Sequence, residues 1–255
     1  MTPDEELLAP PLLEAVLSKL GFPDRPPTNL SGLRAVNGAW CRRVPFDNVQ
    51  KLIRLGANEP GPLPGDSPVD FFKAWLAQGT GGTCWAGNGA LHALLVSLGF
   101  ASTRALGTML LAPDTAPNHG TAWGVRCERQ GAHWYIDWRP LNIPQGLQAR
   151  IDRLSTTRET FRQLHEETRA WSPFNYELYA RSNREDRVIG IAFGERVELR
   201  AGGALAREPL GKEERIRMLV EELGIDEATA VRVPQDRERP PPPGSRSAQV
   251  GKRLS

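Results

Sequence analysis

The stretch GGTCWAGNGALHALLVSLGF, residues 81–100, sets a Gly-Gly pair and a cysteine directly ahead of the clearest helix signal in the chain. Leu91, Leu94, Leu95 and Leu98 fall at i, i+3, i+4 and i+7, and Gly99 follows as a stop. The spacing predicts a helix over 85–98, with His92 off the apolar stripe and facing solvent. Cys84 then stands at a helix N-terminus, where the aligned peptide dipoles favour negative charge. A thiol reacts as its thiolate, and a free thiol of pKa about 8.5 holds little thiolate at neutral pH. Standing alone, a buried cysteine is ordinarily a small hydrophobe. Its partners elsewhere in the chain decide between the two readings.

Upstream of this stretch the chain reads as helical. Leu12, Leu13, Val16, Leu17 and Leu20 keep helical spacing up to Gly21, and a second segment carries Leu30, Leu33, Val36 and Trp40. VPFDNV (44–49) breaks the pattern, because a residue before proline prefers extended geometry. A Pro- and Gly-rich connection, 59–68, leads to a short helix expected over 70–76. Downstream the period shifts toward two. STRALGTMLL, TAWGVRCE and HWYIDW read as strands with a turn near Gln130-Gly131, and VIGIAF and RVELR as a hairpin joined at Gly194-Glu195. The last ordered element expected is the helix KEERIRMLVEELGI, with Ile216, Leu219, Val220 and Leu223 on one stripe. Beyond Pro234 the composition predicts a disordered tail.

Composition narrows the function classes. The 255 residues carry 32 basic and 30 acidic side chains, a net charge of +2 that argues against a dedicated nucleic-acid surface. No apolar run approaches the roughly 18 residues of a membrane span. MTPDEELLAPP is acidic where a secretory signal is basic, so a cytoplasmic protein is expected. Three cysteines, Cys41, Cys84 and Cys127, lie far apart and form no disulfide framework. No metal-ligand spacing and no phosphate-cradling glycine loop is present.

A histidine can take the proton of a thiol if a carboxylate fixes its tautomer. The candidates are His119, in NHGTAWGV, and Asp137, in WYIDW. With the hairpin turning near residue 130, His119 lies opposite about residue 141, four positions from Asp137. That even offset puts both on one face. Their backbones are then about 14 Å apart at about 3.4 Å per residue, so a bulge or a longer turn must close the gap. A one-residue shift of the turn reverses the parity. His133 and His165 have no mechanistic neighbour in the sequence.

In order and at similar separations, Pro45-Phe46-Asp47-Asn48, Gly81-Gly82-Thr83-Cys84, Asn88, Leu98-Gly99-Phe100, His119 and Asp137 resemble the arylamine N-acetyltransferase family, with its PFEN, RGGxCxExN, LGF and DVGFG motifs. The resemblance runs from about residue 12 to 232. It implies an α+β fold: a helical domain (1–99), a central β-barrel (100–185), an α/β lid (186–233) and then the tail (234–255). It also implies a Cys84-His119-Asp137 triad passing an acyl group from a thioester, by way of Cys84, to a second nucleophile. No bound cofactor or metal is implied. The thioester donor is coenzyme A or a carrier-protein phosphopantetheine.

Three positions depart from the family pattern. Thr80 replaces the arginine, Ala86 the glutamate, and Trp138-Arg139-Pro140-Leu141 the residues after the aspartate. Glycines admit a ligand close to the backbone, whereas Trp138 and Arg139 fill that space. Phe46, Trp138 and Arg139 are therefore the substrate-binding candidates. The rebuilt segment favours release or cyclisation of a carrier-bound polyketide or peptide chain, by an amide synthase or Dieckmann reaction. The alternatives are acetyl-CoA-dependent arylamine N-acetylation, a thiol hydrolase and a non-catalytic binding module. Arg42, Arg43 and Lys51 could offer a basic patch to an acidic carrier protein.

Overall fold

The computed structural model describes residues 7–110, 125–143 and 146–240. Four helices form the first layer: α1 (Pro10–Lys19), α2 (Leu30–Arg43), α4 (Pro68–Gln78) and α5 (Cys84–Ser97). Their boundaries follow local chemistry. Pro68 opens α4, where its missing N–H has no helical partner to lose, and Gly79 (φ 74°) closes it in the left-handed region. The Asn29 side chain caps α2 by accepting from the Gly32 N–H at 2.9 Å. Val16, Leu20, Val36, Phe72, Trp75, Leu94 and Leu98 form their shared core. Lys19 lies over the Trp75 ring and donates to the carbonyls that end α4.

Between α2 and α4 come β1 (Phe46–Asp47) and α3 (Val49–Gly56). β2 (Leu106–Leu110), β3 (Val125–Gln130), β4 (His133–Trp138) and β5 (Leu147–Arg153) form a four-stranded antiparallel sheet in the order β2-β5-β4-β3. α6 (Arg158–Glu167) and two short 3-10 turns lead into β6 (Tyr179–Asn183), β7 (Arg187–Ala192), β8 (Glu195–Arg200) and β9 (Leu205–Pro209). These four strands pair in sequence order, and β1 joins the free edge of β6. The second sheet thus includes two residues from the helical third of the chain. It also joins β6 to β7 across the expected boundary at residue 185.

β7 is buried on both faces. Ile189 and Ile191 meet Leu52, Leu178 and Leu219, while Val188 and Ala192 meet Tyr179, Val197 and Leu199. The chain then forms α7 (Lys212–Arg217), a π-helical turn (Met218–Glu222) and α8 (Glu227–Ala230).

Several expectations change. His92 is buried at 5% exposure, with Nδ1 2.9 Å from Ser102 Oγ. α5 also buries Ala86, Gly89, Ala90 and Ala93, so its apolar surface is far wider than the leucine stripe. The β3–β4 turn falls where expected, but Gln130 pairs with His133 and Asp137 with Arg126. That register differs by three residues from a turn centred on 130. The odd shift reverses the parity behind the one-face argument for His119 and Asp137. The helix over 212–223 is not the last ordered element: α8 follows it. Residues 234–240, expected in the tail, are pinned. Asp236 Oδ1 accepts from the Leu178 N–H at 2.9 Å and pairs with Arg215, and the Arg237 N–H reaches the Tyr176 carbonyl. Among the described residues, no helix is long and apolar enough to cross a membrane.

Candidate active site

Two motifs far apart in sequence lock together around Cys84. The buried Asp47 carboxylate accepts from the Gly81 N–H at 2.6 Å and from the Val49 N–H at 3.0 Å. The Asp47 N–H donates to the Gly82 carbonyl, and Phe46 bridges Gly82 in parallel. This close approach explains the Gly-Gly pair. A Cβ at Gly81 would sit 1.8 Å from the Pro45 carbonyl oxygen, and one at Gly82 would sit 2.7 Å from the Ala86 Cβ. Asn48 completes the lock. Its amide donates to the Phe174 and Glu177 carbonyls and accepts from the Tyr179 N–H. Residues 45–48 therefore fix the start of α5 against the second sheet.

Cys84 occupies the first position of α5, and Thr83 caps it with extended backbone and no side-chain hydrogen bond. The first-turn N–H groups thus lack a side-chain cap. Those of Cys84 and Trp85 point at the sulfur. Burial pushes the thiol upward, while the Trp85 N–H, the Lys51 ammonium and the Cys84 N–H pull the other way. The Cys84 side chain is half-buried. The site therefore holds a protonated thiol at rest, with donors arranged for the charge that appears on deprotonation.

Asp137 lies on β4, directly opposite Gln148 of β5, and its Oδ1 accepts from Gln148 Nε2 at 2.8 Å. His119 lies outside the described residues. Arg139 donates to the Gly203 carbonyl at 2.9 Å, and the Leu141 N–H reaches the Tyr179 hydroxyl. The segment after Asp137 is thereby anchored to the second sheet. The Phe46 ring packs edge-on against Phe174 and Tyr179, with the Arg181 guanidinium over its face. Ala86 is buried, and the space a glutamate would need is taken by Gly65: a Cβ there would fall 2.3 Å from the Ala86 Cβ. Among the described residues, no cluster of three or more His, Cys, Asp or Glu side chains could hold a metal ion.

Sequence reasoning passed over the groups beside Cys84. Lys51 is 5% exposed, so it belongs to no surface patch, and its ammonium donates to Thr168 Oγ1 at 3.1 Å. The Thr168 hydroxyl donates in turn to the His165 carbonyl. The buried His165 ring stacks on Trp85 at 6.5 Å, and Trp85 meets Phe161 edge-on at 4.8 Å. Burial, reinforced by Lys51, lowers His165 to about 4, so its ring is neutral. A lysine inside the apolar run VQKLI was the one available signal. Nothing in RQLHEETR marks His165 as buried.

A family model described as N-acetyltransferase matches residues 29–180, more than half of the chain. The chain belongs to the arylamine N-acetyltransferase family. An arylamine N-acetyltransferase of Mycolicibacterium smegmatis is 30% identical over 106 residues, 41% of this chain and 36% of that relative. The match thus spans little more than a third of the relative's length. Solved structures extend the likeness in fold. The M. smegmatis arylamine N-acetyltransferase matches 87% of this chain and 97% of its own, with a TM-score of 0.67 at 19% identity. The Salmonella typhimurium arylamine N-acetyltransferase matches 89% and 98%, with a TM-score of 0.66 at 15% identity. That of Mycobacterium marinum, solved in complex with CoA, matches 87% and 98%, with a TM-score of 0.63 at 14% identity. The α+β arrangement implied by the motifs is therefore that of arylamine N-acetyltransferases, and the chain is an acyltransferase of that family.

Proposed function

We propose that this chain carries an acyl group from a thioester to an amine through a covalent thioester on Cys84. The observation supporting this most directly is the position of Cys84 at the head of α5, with two backbone N–H groups aimed at its sulfur. In the first half-reaction the Cys84 thiolate attacks the donor carbonyl carbon. A new C–S bond forms, and negative charge moves to the carbonyl oxygen, where first-turn N–H groups can receive it. Collapse breaks the donor C–S bond, and the donor leaves as a thiol after taking a proton. In the second, an amine attacks the acyl-Cys84, the C–S bond to Cys84 breaks, and the product is an amide.

His119 is the base proposed to take the proton of Cys84 and return it to the leaving group. The Gln148 bond fixes the Asp137 carboxylate through Oδ1, and Oδ2 is the acceptor proposed for the histidine ring N–H. A CoA thioester is the first donor to consider, given the relative solved with CoA, and an arylamine the first acceptor. The cytoplasm is the proposed location.

A second reading rests on the anchored segment Asp137-Trp138-Arg139-Pro140. Its bulk and its tie to Gly203 reshape the pocket wall where the family carries glycines, which suits a carrier-bound polyketide or peptide chain released as an amide or by Dieckmann closure. Trp138 and Arg139 would then shape the acceptor pocket, and Phe46 would support it from behind.

Turnover assays separate these readings. Formation of an N-acetyl arylamine from acetyl-CoA, lost in Cys84→Ala, is the expected result. A cyclised or amidated product only from a carrier-bound β-ketoacyl chain would move the assignment to chain release. Free acid formed without any amine would make the protein a thiol hydrolase.

A further inference from the structure

We propose that Lys51 is the electrostatic partner of Cys84, a buried ammonium that stabilises the thiolate and the oxyanion formed on it. The inference rests on the reading of Cys84 as nucleophile. Its geometric basis is the cluster of buried groups that links α3, α5 and α6. Asp47 ties the first turn of α3 to Gly81, three residues before Cys84. Lys51, on that first turn, is held by Thr168, which is bonded to the His165 carbonyl, and His165 stacks on Trp85, the neighbour of Cys84.

A buried ammonium is expensive unless an anion compensates it. The groups facing Lys51 are Cys84 from α5 and His165, Glu166 and Arg169 from α6 and the turn after it. Glu166 is paired with Arg169 and also accepts from the Leu63 N–H, so those two charges largely offset each other. His165 is neutral. The anion left for Lys51 is the Cys84 thiolate. Burial pulls Lys51 down to about 8, and Cys84 is the first group acting against that pull. At neutral pH the ammonium is therefore present when the thiol gives up its proton.

The test is the pH dependence of Cys84 alkylation by iodoacetamide, followed by peptide-resolved mass spectrometry because Cys41 and Cys127 are exposed. Loss of a cation within a few ångströms should raise the alkylation midpoint of Lys51→Met by about one pH unit or more. Lys51→Arg should recover part of that rise. Lys51→Met should also keep or raise the Tm, since it removes a buried charge; a packing role alone would lower Tm and leave the midpoint in place. An unchanged midpoint in folded Lys51→Met would overturn the proposal.

Coupling is reciprocal, so an NMR titration of the Lys51 Cε signal gives a second measurement free of any folding failure. Its midpoint should fall in Cys84→Ala, and equal midpoints in wild type and Cys84→Ala would also overturn the pairing. Full turnover in Cys84→Ala would instead remove the nucleophile reading, whatever Lys51 does.

Discussion

At the scale of single residues, backbone approach sets what the site tolerates. Gly81 lies so close to the Pro45 carbonyl that a methyl group must displace backbone. Gly81→Ala should therefore destabilise by about 2 kcal/mol or more and move the head of α5. Gly87, three residues past Cys84, is the internal control. A Cβ there meets only the Gly82 carbonyl oxygen at 4.0 Å, and the position is helical. Gly87→Ala should stabilise by about 0.5–1 kcal/mol. Thermal unfolding with a turnover assay checks both, and equal effects at the two positions would contradict the account. The Gly-Gly pair, Asp47 and Cys84 could all be picked out in the sequence, because motif order survives without geometry. Lys51 and His165 could not, since their burial depends on elements more than 100 residues apart meeting over Thr168.

At the scale of elements, two buried titrating groups oppose each other. Burial raises Asp47, at the entry to α3, from 3.8 to about 6, against the Gly81 and Val49 N–H groups. Its folded form binds the proton more tightly than the unfolded chain. The stability it contributes is thus full below about pH 4 and is lost as pH rises through about 6. Burial and Lys51 lower His165 of α6 from 6.5 to about 4, so its contribution is full above 6.5 and is lost as pH falls through about 4. Each change is worth roughly 3 kcal/mol, with opposite slopes over the same window. Wild-type stability should be nearly flat from these groups between pH 4 and 6.5. His165→Phe should unmask a fall in stability with rising pH, and Asp47→Asn a rise. Denaturant melts across that window would refute the balance if both variants kept the wild-type slope.

The same scale shows why elements are easier to read than registers. Four leucines are enough to find α5, yet its alanines and glycines are buried too, which brings His92 inside. The β3–β4 turn was legible from Gln130-Gly131. Its pairing was not, since one or two residues of turn length decide which face every side chain takes.

At the scale of the whole molecule, the ends of the described chain bind its middle. β1 adds a two-residue edge to a sheet formed by residues 179–209, and residues 234–240 lie along the segment that enters β6. Composition alone, rich in proline and charge, could not separate this pinned strap from a tail. Asp236 carries the tie by accepting from the Leu178 N–H and pairing with Arg215. Asp236→Ala leaves a backbone donor and a half-buried guanidinium without that acceptor, and should cost about 1–3 kcal/mol. A Tm within a degree of wild type would show that the strap is not a structural tie.

The central claim concerns Cys84, whose sulfur is held at the head of α5 by backbone N–H groups and a buried cation. Intact-protein mass after mixing with acetyl-CoA, without acceptor, tests it most directly. One acetyl group is predicted on the wild type, removed when an arylamine is added and absent in Cys84→Ala. An acetyl group that persists in Cys84→Ala, or a wild type that stays unmodified by any acyl thioester donor, would contradict the account.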